Sequence, residues 1–295
     1  MNTRRYRVVH RTTYRYASPM NDGYTVAHLL PRATPRQRVE DASITVTPRP
    51  SELDEHLDPF GNRVTRFGVH HPHDELVVEA VSTVGVDDAD PLVDAAPWND
   101  VASRIDGLGG DDALEIGPFR ARTRFVELDV VGAQLAEIAY GSFAPRRGIV
   151  EAAHDLCHRI FTGFTYDPTS TEISTPLTDV LLSRRGVCQD FAHLATGCLR
   201  SIGLAARYVS GYIETEPPAG QARLVGADAS HAWCSVWTPS AGWIDFDPTN
   251  DHFPTRRHVT VAWGRDYADV TPVRGVVIGP ATAQTLDVSV DVARV

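Results

Sequence analysis

With 295 residues, 42% of them hydrophobic, the chain is long enough for about two domains with cores of their own. Its net charge of −10 and lack of a basic tract argue against a nucleic-acid partner, and acidity of this size is ordinary solubility. No run of about 18 apolar residues occurs, so no membrane-spanning helix is expected, and four cysteines do not suggest a disulfide framework.

The first 85 residues read as short alternating β runs at 4–16, 42–47, 63–70 and 76–84. The opening Met1-Asn2-Thr3-Arg4-Arg5-Tyr6 is basic but has no apolar stretch behind it. It is expected to be a strand and not a signal peptide, in a cytoplasmic protein. Asp58-Pro59-Phe60-Gly61-Asn62 is turn-like, and short strands separated by turn signals predict a β-sandwich. Residues 86–117, rich in Asp, Gly and Pro, read as a connection between domains. Helical patterning follows around 130–140 and 149–161, and no internal repeat is apparent.

From Val187 to Ile202 the residues Phe191, Leu194, Ala195, Cys198, Leu199 and Ile202 recur at steps of three and four, the period of an amphipathic helix. Gly186 stands before it and Gly203 ends it. Cys188 falls in the first turn, in phase with Phe191 and Ala195. Free N–H groups and the partial positive charge of a helix N-terminus stabilise a thiolate, the reactive form of Cys. The same N–H groups can donate to a developing oxyanion. Most free Cys residues are small buried hydrophobes, so the partners of Cys188 decide its role.

His231 to Trp237 alternates, with His231, Trp233, Ser235 and Trp237 on one face. Thr238-Pro239-Ser240-Ala241-Gly242 is a turn, and Trp243, Asp245 and Asp247 share a face of the run that follows. The two runs predict an antiparallel hairpin that places Asp247 opposite the region of His231 and Trp233. Alternation alone does not choose between Asp245 and Asp247. Folding about the turn brings 247 nearer His231 and 245 nearer Trp233 and Ser235, and Pro248 holds Asp247 extended. Tyr166, in Phe164-Thr165-Tyr166-Asp167-Pro168, is a candidate second oxyanion donor; its other reading is an aromatic core residue with a satisfied hydroxyl.

The string Gly-Val-Cys-Gln-Asp-Phe-Ala-His-Leu with Gly203-Leu204-Ala205-Ala206-Arg207-Tyr208-Val209-Ser210-Gly211-Tyr212, then Ser-His-Ala-Trp and Gly-Trp-Ile-Asp-Phe-Asp-Pro-Thr-Asn, resembles the core of the bacterial transglutaminase-like superfamily. The segments 6–16, Leu30-Pro31-Arg32 and Asp58-Pro59-Phe60-Gly61-Asn62 resemble the β domain that precedes this core in one subfamily, and 264–270 resembles its C-terminal extension. The resemblance implies an α+β fold: an N-terminal β-sandwich (1–85), a linker (86–117), a papain-like transglutaminase core with the Cys helix packed on an antiparallel sheet (118–265), and a C-terminal β extension (266–295). It also implies a triad of Cys188, His231 and Asp247 that attacks a peptide amide, glutaminyl or backbone, and forms an acyl-enzyme. An amine acceptor would make a transglutaminase. Water as the only acceptor would make a cysteine protease or amidase, and loss of the chemistry would leave a scaffold or binding protein.

The expected partner is a peptide or protein substrate, with no membrane and no cofactor. Cys157, His158, Cys188, His193, Cys198, His231 and Cys234 offer the N and S ligands of a structural zinc module. No CxxC pair is present, and His231 and Cys234 fall on opposite faces of their strand, so no metal is expected. All 28 basic residues are Arg, so the chain offers no Lys ammonium group as an acceptor for its own acyl-enzyme.

Overall fold

The computed structural model describes residues 3–88, 94–215, 230–280 and 283–295. The N-terminal strands are β1 (Arg4–Met20), β2 (Asp22–Ala27), β3 (Gln37–Thr47), β4 (Glu52–Leu57), β5 (Arg63–Val69) and β6 (His73–Val86). In β1 the buried Tyr6, Val8, His10 and Thr12 alternate with exposed Arg5, Arg7 and Arg11, the pattern of a strand with one face in a core. Then come α1 (Trp98–Asp106), α2 (Gly110–Ile116), α3 (Leu128–Tyr140), α4 (Ile149–Gly163), the short β7 (Thr165–Tyr166), α5 (Leu177–Ser183), β8 (Arg185–Gly186) and α6 (Cys188–Ser201). The last strands are β9 (Ala206–Ile213), β10 (Ser230–Thr238), β11 (Gly242–Phe246), β12 (His258–Gly264), β13 (Val273–Ile278) and β14 (Gln284–Arg294).

Two antiparallel sheets, ordered β14-β1-β6-β3 and β13-β2-β5-β4, form the N-terminal sandwich. Tyr16, Met20, Val46, Val78 and Ala80 from one sheet meet Ala27, Phe67 and Val69 from the other in a common core. Both C-terminal strands belong to this sandwich. The segment 266–295, expected as a C-terminal β extension, supplies a strand to each sheet: β13 lies along β2, and β14 lies along β1 from Tyr6↔Arg294 to Tyr16↔Gln284. Alternation along a strand says nothing about which distant strand it joins.

The stretch 86–117 is more than a connection. It carries α1 and α2, whose Val101, Ile105 and Ile116 enter the helical core. Among the described residues, Pro97 before α1 and Gly107 after it are helix boundaries.

The second domain has an antiparallel sheet, β11-β10-β9-β12, with α6 packed on β10 and β9. Every residue of α6 from Asp190 to Arg200 is buried, so it is a core helix. Its C-terminus closes with Leu204 N–H on Leu199 C=O (3.1 Å) and Gly203 N–H on Arg200 C=O (3.0 Å), and Gly203 takes the left-handed φ of +89° that this closure needs. A second glycine is fixed by packing: a Cβ at Gly211 would lie 2.1 Å from Val259 O and 2.6 Å from the Trp233 ring. Gly211→Ala is expected to cost about 3 kcal/mol, since neither backbone nor buried indole can yield. For a chain of this size that lowers Tm by roughly 5–10 °C. A melting temperature unchanged within a degree would contradict this packing.

The sandwich grips the exposed edge of β12. The Gln37 amide donates to Thr260 C=O (2.7 Å) and accepts from Thr260 N–H (2.8 Å). Asn62 does the same at Trp263, donating at 2.8 Å and accepting at 3.0 Å. Two side-chain amides thus stand where a neighbouring strand's backbone would. Arg32 stacks over the Trp263 ring at 3.2 Å and donates to Phe60 C=O and Asn62 Oδ1. The motifs around Arg32 and Asn62 are therefore the joint between the two domains.

Candidate active site

Cys188 is the first residue of α6. Val187 before it is extended (φ −115°, ψ −178°), and its N–H is held by the Asp190 carboxylate at 2.8 Å. Thr171 Oγ donates to the same carboxylate oxygen at 2.7 Å. A Cβ at Gly186 would lie 2.8 Å from Asp190, so this tight approach also requires glycine. The cap fixes the first turn and leaves its N–H groups, which have no intrahelical partners, beside the half-buried Cys188.

The hairpin register is Ser235↔Asp245 and Cys234↔Phe246. His231, at the start of β10, lies opposite Gly211 of β9. Its Nε2 is 2.7 Å from Asp247 Oδ2, and Cys188 is the second side chain that acts on its ring. The three residues are thus brought together, and with Nε2 on the carboxylate, Nδ1 is the nitrogen that can serve the thiol. Asp245 goes elsewhere: it accepts from the Trp233 indole N–H at 3.2 Å and from the Ser235 hydroxyl.

Asp247 is fully buried and accepts at both oxygens. Oδ1 takes the Thr249 and Asn250 backbone N–H groups at 3.0 and 3.2 Å. Oδ2 takes the Asn250 side-chain amide at 2.8 Å and His258 at 3.0 Å besides His231. Burial alone would raise its pKa; the hydrogen bonds and charges of the two imidazoles outweigh that and hold the carboxyl far below its usual range. Burial likewise works to lower His231, but its bonds to Asp247 and to Cys188 raise it to about 10. A buried imidazolium on a buried carboxylate is the state these contacts favour.

Sequence reasoning missed Asn250 and His258. Asn250 could have been found, because an Asp followed three residues later by Asn in a Pro-containing turn is a frequent self-capping pattern. His258 gave no local signal: it reaches Asp247 only after the chain has turned through 248–257.

Tyr166 sits on β7, which pairs in parallel with β8 so that Tyr166 is level with Gly186, two residues before Cys188. Asp167 N–H bonds Gly186 C=O at 3.0 Å and secures the pairing. The ring is 55% exposed, which excludes the core reading. Desolvation and then the Cys188 charge raise its pKa.

His231 Nε2, Asp247 Oδ2 and His258 Nε2 lie within 4.8 Å of one another, and as a donor set they could hold a metal ion. The same oxygen also accepts from the Asn250 amide, which cannot give up its proton, so the cluster reads as a hydrogen-bond network. The remaining cysteines are buried: the Cys234 thiol donates to Phe246 C=O at 3.5 Å, and burial pushes both Cys157 and Cys198 up. They are inert by position. A groove of about 610 Å³ on the outer sandwich, lined by Tyr24, Leu53, Phe67 and Val276, contains no nucleophile and lies away from Cys188.

A cysteine opening a buried helix, laid against an antiparallel sheet that brings it a histidine and a carboxylate, defines a transglutaminase-like core. The chain belongs to the bacterial transglutaminase-like proteins: residues 6–85 match the bacterial transglutaminase-like N-terminal region, and residues 137–248 match the transglutaminase-like superfamily. An uncharacterised protein of Mycobacterium tuberculosis is 43% identical over 98% of this chain and 93% of its own length. A protein-glutamine gamma-glutamyltransferase of Pseudomonas aeruginosa is 36% identical over 32% of this chain and 15% of its own length. A solved structure from Cytophaga hutchinsonii, described as a candidate cysteine protease, is 25% identical with a TM-score of 0.74, over 100% of this chain and 91% of its own.

Proposed function

We propose that the protein is a thiol acyltransferase acting on a peptide amide, with a glutaminyl side chain as donor. The observation that carries this is the position of His231, held by Asp247 at 2.7 Å with Cys188 acting on the same ring. Cys188 Sγ, its proton already held by the His231 imidazolium, attacks the amide carbon. Collapse of the tetrahedral adduct breaks the C–N bond, His231 returns the proton to the departing amine, and a thioester remains. An amine acceptor attacking that thioester gives a new amide and regenerates the thiol; water gives the acid instead. The gamma-glutamyltransferase of Pseudomonas supports the glutaminyl donor, and the Cytophaga structure supports hydrolysis as the second outcome. A chain without Lys takes its amine acceptor from another molecule.

The test is a library of Gln-containing peptides, incubated with and without a primary amine and read by mass spectrometry. Gln residues gaining the amine mass support acyl transfer. Backbone cleavage with no amine incorporated would replace this reading with a protease. If neither occurs and iodoacetamide labels Cys188 no faster than Cys157, the thiol chemistry itself is refuted.

Tyr166 is the proposed second oxyanion donor beside the helix N–H groups. Removing one such donor costs about 10²–10³ in kcat where it is fully engaged. For a half-exposed hydroxyl, Tyr166→Phe is expected to lower kcat roughly 10- to 100-fold with KM little changed. An equal kcat would remove Tyr166 from the site.

A further inference from the structure

Asp247 Oδ2 is shared by two imidazoles, and only one of them belongs to the triad. His258, the first residue of β12, brings Nε2 to 3.0 Å from that oxygen. Its other nitrogen fixes the tautomer: the Thr255 backbone N–H donates to Nδ1 at 3.2 Å, so Nδ1 is bare and Nε2–H is the donor. The ring is 4% exposed. Around it stand Asp247, His231 (centroids 5.8 Å), His252 (5.4 Å) and the edge-on Trp233 (5.3 Å). Burial lowers its pKa, Asp247 raises it, and the charges of His231 and His252 lower it further; the balance is a neutral ring.

We propose that His258 is a positioning residue, an imidazole donating from Nε2 that anchors Asp247 and tempers its hold on the His231 proton. The proposal rests on the triad reading above. His231 holds the proton taken from the thiol and must surrender it to the leaving amine. Without the His258 donor, Asp247 would hold that proton more tightly. A second N–H donor on the same oxygen takes part of its charge and makes His231 a weaker base. The device also explains the edge grip on β12. Gln37 and Asn62 bind the backbone at 260 and 263, two and five residues beyond His258, so the sandwich sets the strand that carries the anchor.

The test compares His258→Leu, which removes the donor, with His258→Gln, which keeps a neutral N–H donor. Imidazole ¹⁵N resonances of His-labelled protein report each ring. In the wild type His258 should show a protonated Nε2 and a bare Nδ1 at neutral pH. In His258→Leu the pH at which His231 loses its proton should rise by about one unit, roughly the free energy of a hydrogen bond to a charged group. In His258→Gln it should return most of the way. Alkylation of Cys188 by iodoacetamide, which needs no substrate, is followed in parallel. Where His258→Leu does not fold, the wild-type spectra and the Gln variant still decide: a His258 that is an imidazolium at neutral pH, or carries its proton on Nδ1, overturns the proposal. A Cys188 no more reactive than Cys157 sinks the triad reading on which the proposal rests. A reactive Cys188 with an unmoved His231 titration sinks the proposal alone.

Discussion

Cys188→Ser is expected to abolish turnover, by roughly 10⁴- to 10⁶-fold, the scale seen when a triad nucleophile is removed. The hydroxyl is almost wholly un-ionised at neutral pH and is a poor nucleophile without its proton removed first. The fold should persist, because position 188 opens a helix and is only partly buried, and serine is at ease in the first turn. A melting temperature within about 2 °C of wild type would therefore accompany the loss, less than 1 kcal/mol for a chain of this size. The pH profile of the wild type gives an independent check. His231 is raised from 6.5 to about 10, so its proton, needed by the leaving amine, is retained as pH rises through 6.5 and lost only on approaching 10. Activity should hold across that window and fall at its upper end, with the limbs belonging to the Cys–His pair jointly. A profile that fell near pH 6.5 would mean that Asp247 does not hold His231 as an imidazolium.

The same linkage bears on stability. A histidine raised in the folded state contributes its stabilisation fully below pH 6.5 and loses it as pH climbs towards 10. Asp247, depressed in the folded state, contributes above about pH 3.8 and loses its share in stronger acid. The site is most stable between those limits, where the imidazolium–carboxylate pair is intact.

What could be read in advance follows from how local each signal is. The α6 helix was legible because its period is strict and both ends are marked by glycine, one of them at a positive φ. The β10–β11 hairpin was legible because a Pro/Gly turn joins two alternating runs, so register followed from chain geometry and carried Asp247 to His231 and Asp245 to Ser235. Strand partners far apart in sequence were not: nothing in Gln284–Arg294 names β1 as its neighbour. Composition misled at 86–117, where Pro97 and Gly107 bound a helix. His258 was invisible for a third reason. Its contact with Asp247 depends on the course of 248–257 and on a β12 edge held by the other domain, so no window of sequence contains it.

Asp247→Asn is the sharper test of the triad, because the structure shows why an amide cannot substitute there. Three donors converge on Oδ2, from His231, His258 and Asn250, and two backbone N–H groups meet Oδ1. An asparagine must turn its NH₂ towards one of these sets, setting donor against donor in a buried site. The cheapest relief is for His231 to shift its proton to Nδ1 and accept at Nε2, which takes away the base that faces Cys188. In a Ser-His-Asp triad the equivalent change costs about 10⁴ in kcat through the wrong tautomer. A cysteine depends less on its base, and about 10- to 10³-fold is expected here, scaled down from that case. Stability should also fall by about 2–4 kcal/mol, since a paired buried charge is lost among unsatisfied donors. Asp245→Asn should behave differently. Trp233 Nε1–H can still meet the amide oxygen, the Ser235 hydroxyl can reverse and accept, and the reacting atoms are untouched. The neighbouring Arg207, buried and stacked on Trp243 and Trp263, loses a counter-charge, so the penalty falls on folding. Turnover should stay within about fivefold of wild type, under 1 kcal/mol of transition-state stabilisation. Kinetics of both variants on one substrate, at a temperature where both are folded, decide the matter. If Asp245→Asn is the crippled enzyme, the carboxylate that serves His231 has been assigned to the wrong residue.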